Sequence, residues 1–175
     1  MSVTHVILGH SERRLHMGET DEMINKKVLH AIEKRLLPIL CIGETKEERD
    51  ADQTREVIQR QLSECLSGVR LNASDKLFVA YEPIWAIGTG EAADPSDVVA
   101  VHSFIRMILQ EMFPSTSDSQ LSVLYGGSVG DENAYSFLRE KEVDGVLVGG
   151  ASVKINQFKG IVQAASEVLE AQKTE

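Results

Sequence analysis

Five short runs rich in Val, Ile and Leu recur along this chain, at residues 3–8, 37–42, 77–80, 121–124 and 146–148. A half-exposed strand would alternate apolar with polar residues, so continuous runs of this length read as strands buried on both faces. The longer stretches between them follow a helical period instead. Residues 21–35 place Met23, Ile24, Val28, Leu29 and Ile32 on one side. Residues 47–66 begin polar and then present Val57, Ile58, Leu62 and Leu66. Residues 95–112 open on Asp94-Pro95, a helix start, and turn Val98, Val99, Val101, Ile105, Ile108 and Leu109 toward a core. Residues 155–171 repeat the pattern with Phe158, Ile161, Val162, Val168 and Leu169, and a shorter helix is expected over 132–139.

The order is five strand-helix units at intervals of about 25 to 45 residues, with no change of composition to mark a second domain within residues 1–175. Such alternation calls for an α/β fold with a parallel sheet and right-handed crossovers. An open doubly wound sheet and part of a (β/α)8 barrel both satisfy it, and both collect ligands at the C-terminal ends of their strands. Composition adds only limits. With a net charge of −9 and a pI near 5.1, the chain is a poor match for nucleic acid or an anionic membrane. No apolar run approaches the roughly 18 residues of a membrane span, and the first residues lack the basic and apolar regions of a signal peptide. Cys41 and Cys65 make no disulfide framework, which points to a reducing cytoplasm.

Informative residues should directly follow each apolar run, and they do: Gly9-His10-Ser11-Glu12, Gly43-Glu44, Tyr81-Glu82-Pro83, Tyr125-Gly126-Gly127-Ser128 and Gly149-Gly150. A carboxylate at the Glu82 position faces the ligand cleft, where desolvation raises its proton affinity and suits it to be a base; a salt-bridged glutamate is the alternative. Pro83-Ile84-Trp85-Ala86-Ile87 followed by Gly88-Thr89-Gly90 is an apolar segment between a stiff and a flexible end, the character of a lid. His10 precedes a helical turn whose positive end favours a neutral imidazole, able to donate to a developing oxyanion; a packed or capping histidine is the alternative. The other histidines are read as packing residues, and no histidines and carboxylates sit at metal-ligand spacing. Gly149-Gly150 and Gly126-Gly127-Ser128 offer backbone N–H groups and a hydroxyl to an anion, or are simply tight turns.

Taken together, the segments resemble the triosephosphate isomerase family. The similarity is carried by residues 6–14, by Cys41-Ile42-Gly43-Glu44, by residues 80–90, by residues 125–129 and by residues 144–152, in order and across essentially the whole chain. The resemblance implies a partial (β/α)8 barrel, with the five units here corresponding to units four to eight. It implies that Glu82 shuttles a proton between two substrate carbons and that His10 polarises the carbonyl, with Glu12 as a supporting carboxylate. Gly88, Ser128, Gly149 and Gly150 match the groups that grip the substrate phosphate, and residues 83–89 match the lid. The reaction implied is interconversion of dihydroxyacetone phosphate and glyceraldehyde 3-phosphate, with no metal or cofactor, in a cytoplasmic homodimer. A barrel of this kind runs to about 250 residues, so roughly 75 are expected on the N-terminal side, with an Asn-x-Lys segment whose lysine stands beside the substrate. A non-catalytic barrel fragment that binds a complementary chain or a second copy is the alternative.

Overall fold

The computed structural model describes residues 3–86 and 93–173. Strands β1 (His5–Leu8), β2 (Leu37–Ile42), β3 (Leu77–Tyr81), β4 (Leu121–Tyr125) and β5 (Gly145–Val146) form one sheet, every neighbouring pair parallel. Spatial order equals sequence order. A doubly wound sheet needs a point where that order reverses, so this arrangement decides between the two architectures in favour of a barrel segment.

The connections are helical: α1 (Ser11–Met17), α2 (Asp21–Glu33), α3 (Lys46–Asp50), α4 (Thr54–Cys65), α5 (Pro95–Met112), α6 (Ala134–Leu138) and α7 (Ile155–Gln172). Their starts follow local chemistry. Thr20 accepts from the Met23 N–H before α2, and Asp94 accepts from the Ser96 N–H before α5, where Pro95 occupies the first turn. The single helix expected over 47–66 is two. A capping box between Thr45 and Glu48 starts α3 one residue earlier, and Asp52 then turns left-handed at φ 57° and ends it. An aspartate tolerates that conformation better than most residues, so the break is inexpensive. The first strand starts at His5, later than expected, and the last is only Gly145–Val146, although the Leu147 N–H continues toward the Tyr125 carbonyl.

One face of the sheet is the core. Leu40, Ile42, Val79, Tyr81, Val123 and Tyr125 pack there against Ile24, Val28, Ile58, Leu62, Val98 and Ile105 from the helices, all buried. Each such aliphatic side chain stabilises the fold by roughly 1.5–3 kcal/mol. The opposite face differs from the expectation of burial on both sides. Ile39, Phe78, Ser122 and Leu124 are half-exposed and Ile7 is 46% exposed, because no layer among the described residues covers them. Helix faces diverge too: Met23, Leu29, Phe158, Val162 and Leu169 are exposed, and Val99 and Val101 only half-buried. Around α7 these exposed side chains border an apolar groove of about 660 Å³ beside β5.

Candidate active site

The C-terminal ends of β1 and β3 bring the two principal candidates together. His10 Nε2 stands 3.3 Å from Glu82 Oε1, although 71 residues of chain separate their loops. The register explains this: Leu8 pairs with Leu40 and Ile42 with Tyr81, so the residues just beyond β1 and β3 flank the end of β2. Gly9 makes the turn into His10 with φ 73°, and a side chain there would press on the Cys41 carbonyl at 3.1 Å. At the end of β2, a Cβ on Gly43 would lie 1.8 Å from the Glu82 carbonyl oxygen, so only glycine lets the two strand ends approach. The buried Gln61 amide on α4 fixes this turn, accepting from the Gly43 N–H at 2.8 Å and donating to its carbonyl at 3.2 Å.

His10 caps α1, its Nδ1 accepting from the Glu12 N–H at 3.3 Å. An acceptor at Nδ1 puts the imidazole proton on Nε2, so a neutral ring donates toward Glu82 and the cleft. Glu82 is 2% exposed. Burial pushes its carboxyl above the ordinary range, against the opposing pull of His10, the Ser11 N–H and the Cys41 thiol. Its Oε2 accepts from the Ser11 N–H at 3.1 Å, so the carboxylate is held by both residues that start α1. Across from it, a Cβ on Gly126 would meet Glu82 Cγ at 2.9 Å.

Behind this pair lies a second polar cluster. Glu44 is fully buried and accepts from the Tyr81 hydroxyl and from Trp85 Nε1, both at 3.0 Å. The Arg49 guanidinium stacks 4.2 Å over the Trp85 ring and lies 3.8 Å from the Glu44 carboxylate. Arg14 ties the strand ends together from outside, donating to the Gly9 carbonyl at 2.7 Å, the Cys41 carbonyl at 3.2 Å and Asp21 at 2.5 Å. Gly43-Glu44 stands out in the sequence as a strand-end cluster; Arg14 lies within the 6–14 segment without a role assigned there, and Gln61 is unmarked, because the Cys41 and Gly43 groups they hold are far away in the chain.

A cleft of about 630 Å³ opens over the pair, within the range of small-molecule sites. His10, Glu12, Glu82, Ser128, Gly149 and Gly150 all line it. Gly88, with residues 87–89 of the expected lid, lies outside the described residues. Of the segment before it, Ile84–Ala86 forms a 3-10 turn anchored by the Ile84 N–H to the Glu44 carbonyl. Asn133 shapes the Ser128 turn, accepting from the Gly130 N–H and donating to the Ser128 carbonyl. Lys154 also lines the cleft, a residue that the sequence does not single out. Among the described residues, no three His, Cys, Asp or Glu side chains cluster as metal ligands, and no helix is long and apolar enough to cross a membrane.

The triosephosphate isomerase family model matches residues 1–165. The chain is 46% identical over 162 residues to the triosephosphate isomerase of Alkaliphilus metalliredigens, covering 93% of this chain and 65% of that protein. It is 48% identical over 162 residues to that of Alkaliphilus oremlandii, with the same coverage. Against that of Aquifex aeolicus it is 48% identical over 158 residues, 90% of this chain and 63% of the relative. The chain therefore spans a little under two thirds of the length of these relatives, and its sheet is five units of the (β/α)8 barrel. With a match this extensive to a fold of this order, the chain belongs to the triosephosphate isomerase family.

Proposed function

We propose that this chain carries the proton-transfer groups for interconverting dihydroxyacetone phosphate and glyceraldehyde 3-phosphate, with Glu82 as base and His10 as the group that polarises the carbonyl. The observation that carries this is the 3.3 Å contact of His10 Nε2 with Glu82 Oε1 beneath a cleft floored by glycine turns. Glu82 takes the proton from the carbon beside the carbonyl, and the electron pair moves to the carbonyl oxygen to give an enediolate. The proton of the adjacent hydroxyl passes to that oxygen, and the same carboxyl returns the carbon-derived proton to the neighbouring carbon, leaving the new carbonyl on the first carbon. A carboxylate whose proton affinity is raised by burial suits both steps better than a solvated one. The Nε2–H of a neutral imidazole supports the charge that develops on oxygen. Ser128, Gly149, Gly150 and Gly88 are assigned to the phosphate and Glu12 to support of the pair; the chemistry needs no metal or cofactor.

We further infer one incomplete domain over residues 1–175, a cytoplasmic setting suited to two buried free thiols, and a homodimer for the complete enzyme. The test is transfer of the carbon-bound proton to solvent: dihydroxyacetone phosphate incubated with the chain in deuterium oxide should gain deuterium and yield the aldehyde. Absence of both, in a preparation shown to be folded, overturns the assignment for this chain. A second reading is favoured by β1 and β5, which have no outer partner strand among the described residues, and by the exposed Phe158, Val162 and Leu169. In it, the chain is inactive alone and binds a complementary chain; activity appearing only on addition of the remaining barrel units would select it.

A further inference from the structure

We propose that Lys154 is the cation that draws a phosphorylated ligand into this cleft and makes the site select anionic over uncharged small molecules. This deepens the function proposed above and rests on it. The cleft is lined by the carboxylates of Glu12, Glu82 and Glu132, and among the described residues Lys154 is the one lysine or arginine that lines it. The whole chain carries −9, so a phosphate approaching through solvent meets a repulsive field from the molecule and from the site. Backbone N–H groups at Gly149 and Gly150 offer hydrogen bonds once the ligand has arrived, but partial charges do little at long range. A full positive charge at the rim offsets part of that repulsion and gives the phosphate one attractive point of approach.

The position of Lys154 suits that task. It joins the 3-10 turn Gly150–Val153 to α7, and its own N–H bonds the Ala151 carbonyl at 3.2 Å, which fixes its backbone four residues after Gly150. The 18 residues of α7 start there, so the positive end of that helix adds to the ammonium rather than opposing it. Lys154 is exposed and enters none of the ion pairs among the described residues, whereas Lys26, Lys27, Lys34 and Lys46 each hold a carboxylate. Its charge is therefore left for a ligand. Lysine, with its flexible stem, suits capture of a mobile anion better than fixed geometry.

The test is calorimetric binding of glycerol 3-phosphate, a three-carbon phosphate ester without a carbonyl, to the wild-type chain, Lys154→Gln and Lys154→Arg. At an ionic strength of about 10 mM, Lys154→Gln should bind about tenfold more weakly, and the difference should shrink to about twofold near 0.5 M salt. Lys154→Arg should retain most of the affinity. Equal binding by wild type and Lys154→Gln at low salt overturns the inference, as does a loss that salt leaves unchanged. A wild-type chain that binds glycerol 3-phosphate in this manner yet never isomerises leaves the Lys154 inference supported and the catalytic assignment refuted. A wild-type chain that binds nothing refutes both.

Discussion

His102 offers a direct measurement of how firmly the helix layer is closed behind the site. It lies on α5, fully buried, with Nδ1 3.0 Å from the Glu142 carbonyl and no partner for Nε2 among the described residues. Its ring meets that of Tyr81 edge-on at 6.0 Å, one residue before Glu82. Burial drives its pKa down from 6.5 to about 4, and nearby Arg106 acts in the same direction against the Glu142 carbonyl and Asp144. A depressed folded value means that the unfolded chain binds the proton more tightly. The stability that neutral His102 contributes is thus complete above pH 6.5 and is lost as pH falls toward 4. Linkage puts the loss at about 2 kcal/mol by pH 5 and about 3 kcal/mol by pH 4. In His102→Asn the amide can still donate to Glu142, but nothing titrates there. Urea unfolding of both proteins, followed by far-ultraviolet circular dichroism, should show a constant offset above pH 7 that shifts by about 2 kcal/mol in favour of the variant by pH 5. A wild-type-minus-variant difference that stays flat within about 0.5 kcal/mol would show that the imidazole is not excluded from water, and the reasoning from burial would be wrong.

Glu82→Asp withdraws the carboxylate from His10 and the cleft by one methylene; we expect turnover to fall about 10²-fold with glycerol 3-phosphate affinity little changed, and unchanged turnover would remove Glu82 from the role of base. Gly126→Ala puts a methyl 2.9 Å from Glu82 Cγ, so kcat should drop while circular dichroism and the unfolding midpoint move little; an unaffected kcat would mean that the carboxylate has room to spare. Trp85→Phe removes one of the two donors to the buried Glu44 oxygen and the larger ring under Arg49, which should destabilise the fold by about 1–3 kcal/mol in urea unfolding; a neutral result would show that the cluster is solvated. Burial raises both thiols, Cys65 to about 12, so neither should react with a disulfide reagent at pH 8 until the chain is unfolded; rapid native-state labelling would contradict their burial.

The sequence made the strand-helix alternation and the position of each strand-end cluster legible, because these depend on local apolar periodicity and on glycine and proline placement. Residues 37–42 and 95–112 matched the observed strand and helix at both ends. The break between α3 and α4 was harder to see, since Ala51, Asp52 and Gln53 carry no strong stop signal, although Thr45 and Glu48 have the spacing of a capping box. The side on which a helix is buried was only partly legible. Phe158, Val162 and Leu169 have the period of a core face, but periodicity describes a stripe and not what lies against it. Within the site, the contact of His10 with Glu82 could be expected only through family resemblance. The hydrogen bonds that hold it, from Ser11 to Glu82, between Gln61 and Gly43 and from Arg14 to the Cys41 carbonyl, join residues from 18 to 71 positions apart, and no local pattern encodes them.

Strand order that equals sequence order has a consequence for how such a chain assembles. From β2 onward each strand finds its partner in the preceding unit, so within these five units the sheet can grow in sequence order without waiting for a distant segment. By the time residue 82 has left the ribosome exit, β1, β2 and β3 are all available, and with them both His10 and Glu82. The contact of His10 with Glu82 therefore needs only the first three of these five units, whereas the glycine turns after β4 and β5 follow later in the chain. Mutations that slow closure of the later units should therefore leave nascent chains in which His10 has met Glu82 but the glycine turns that complete the cleft are not yet in place.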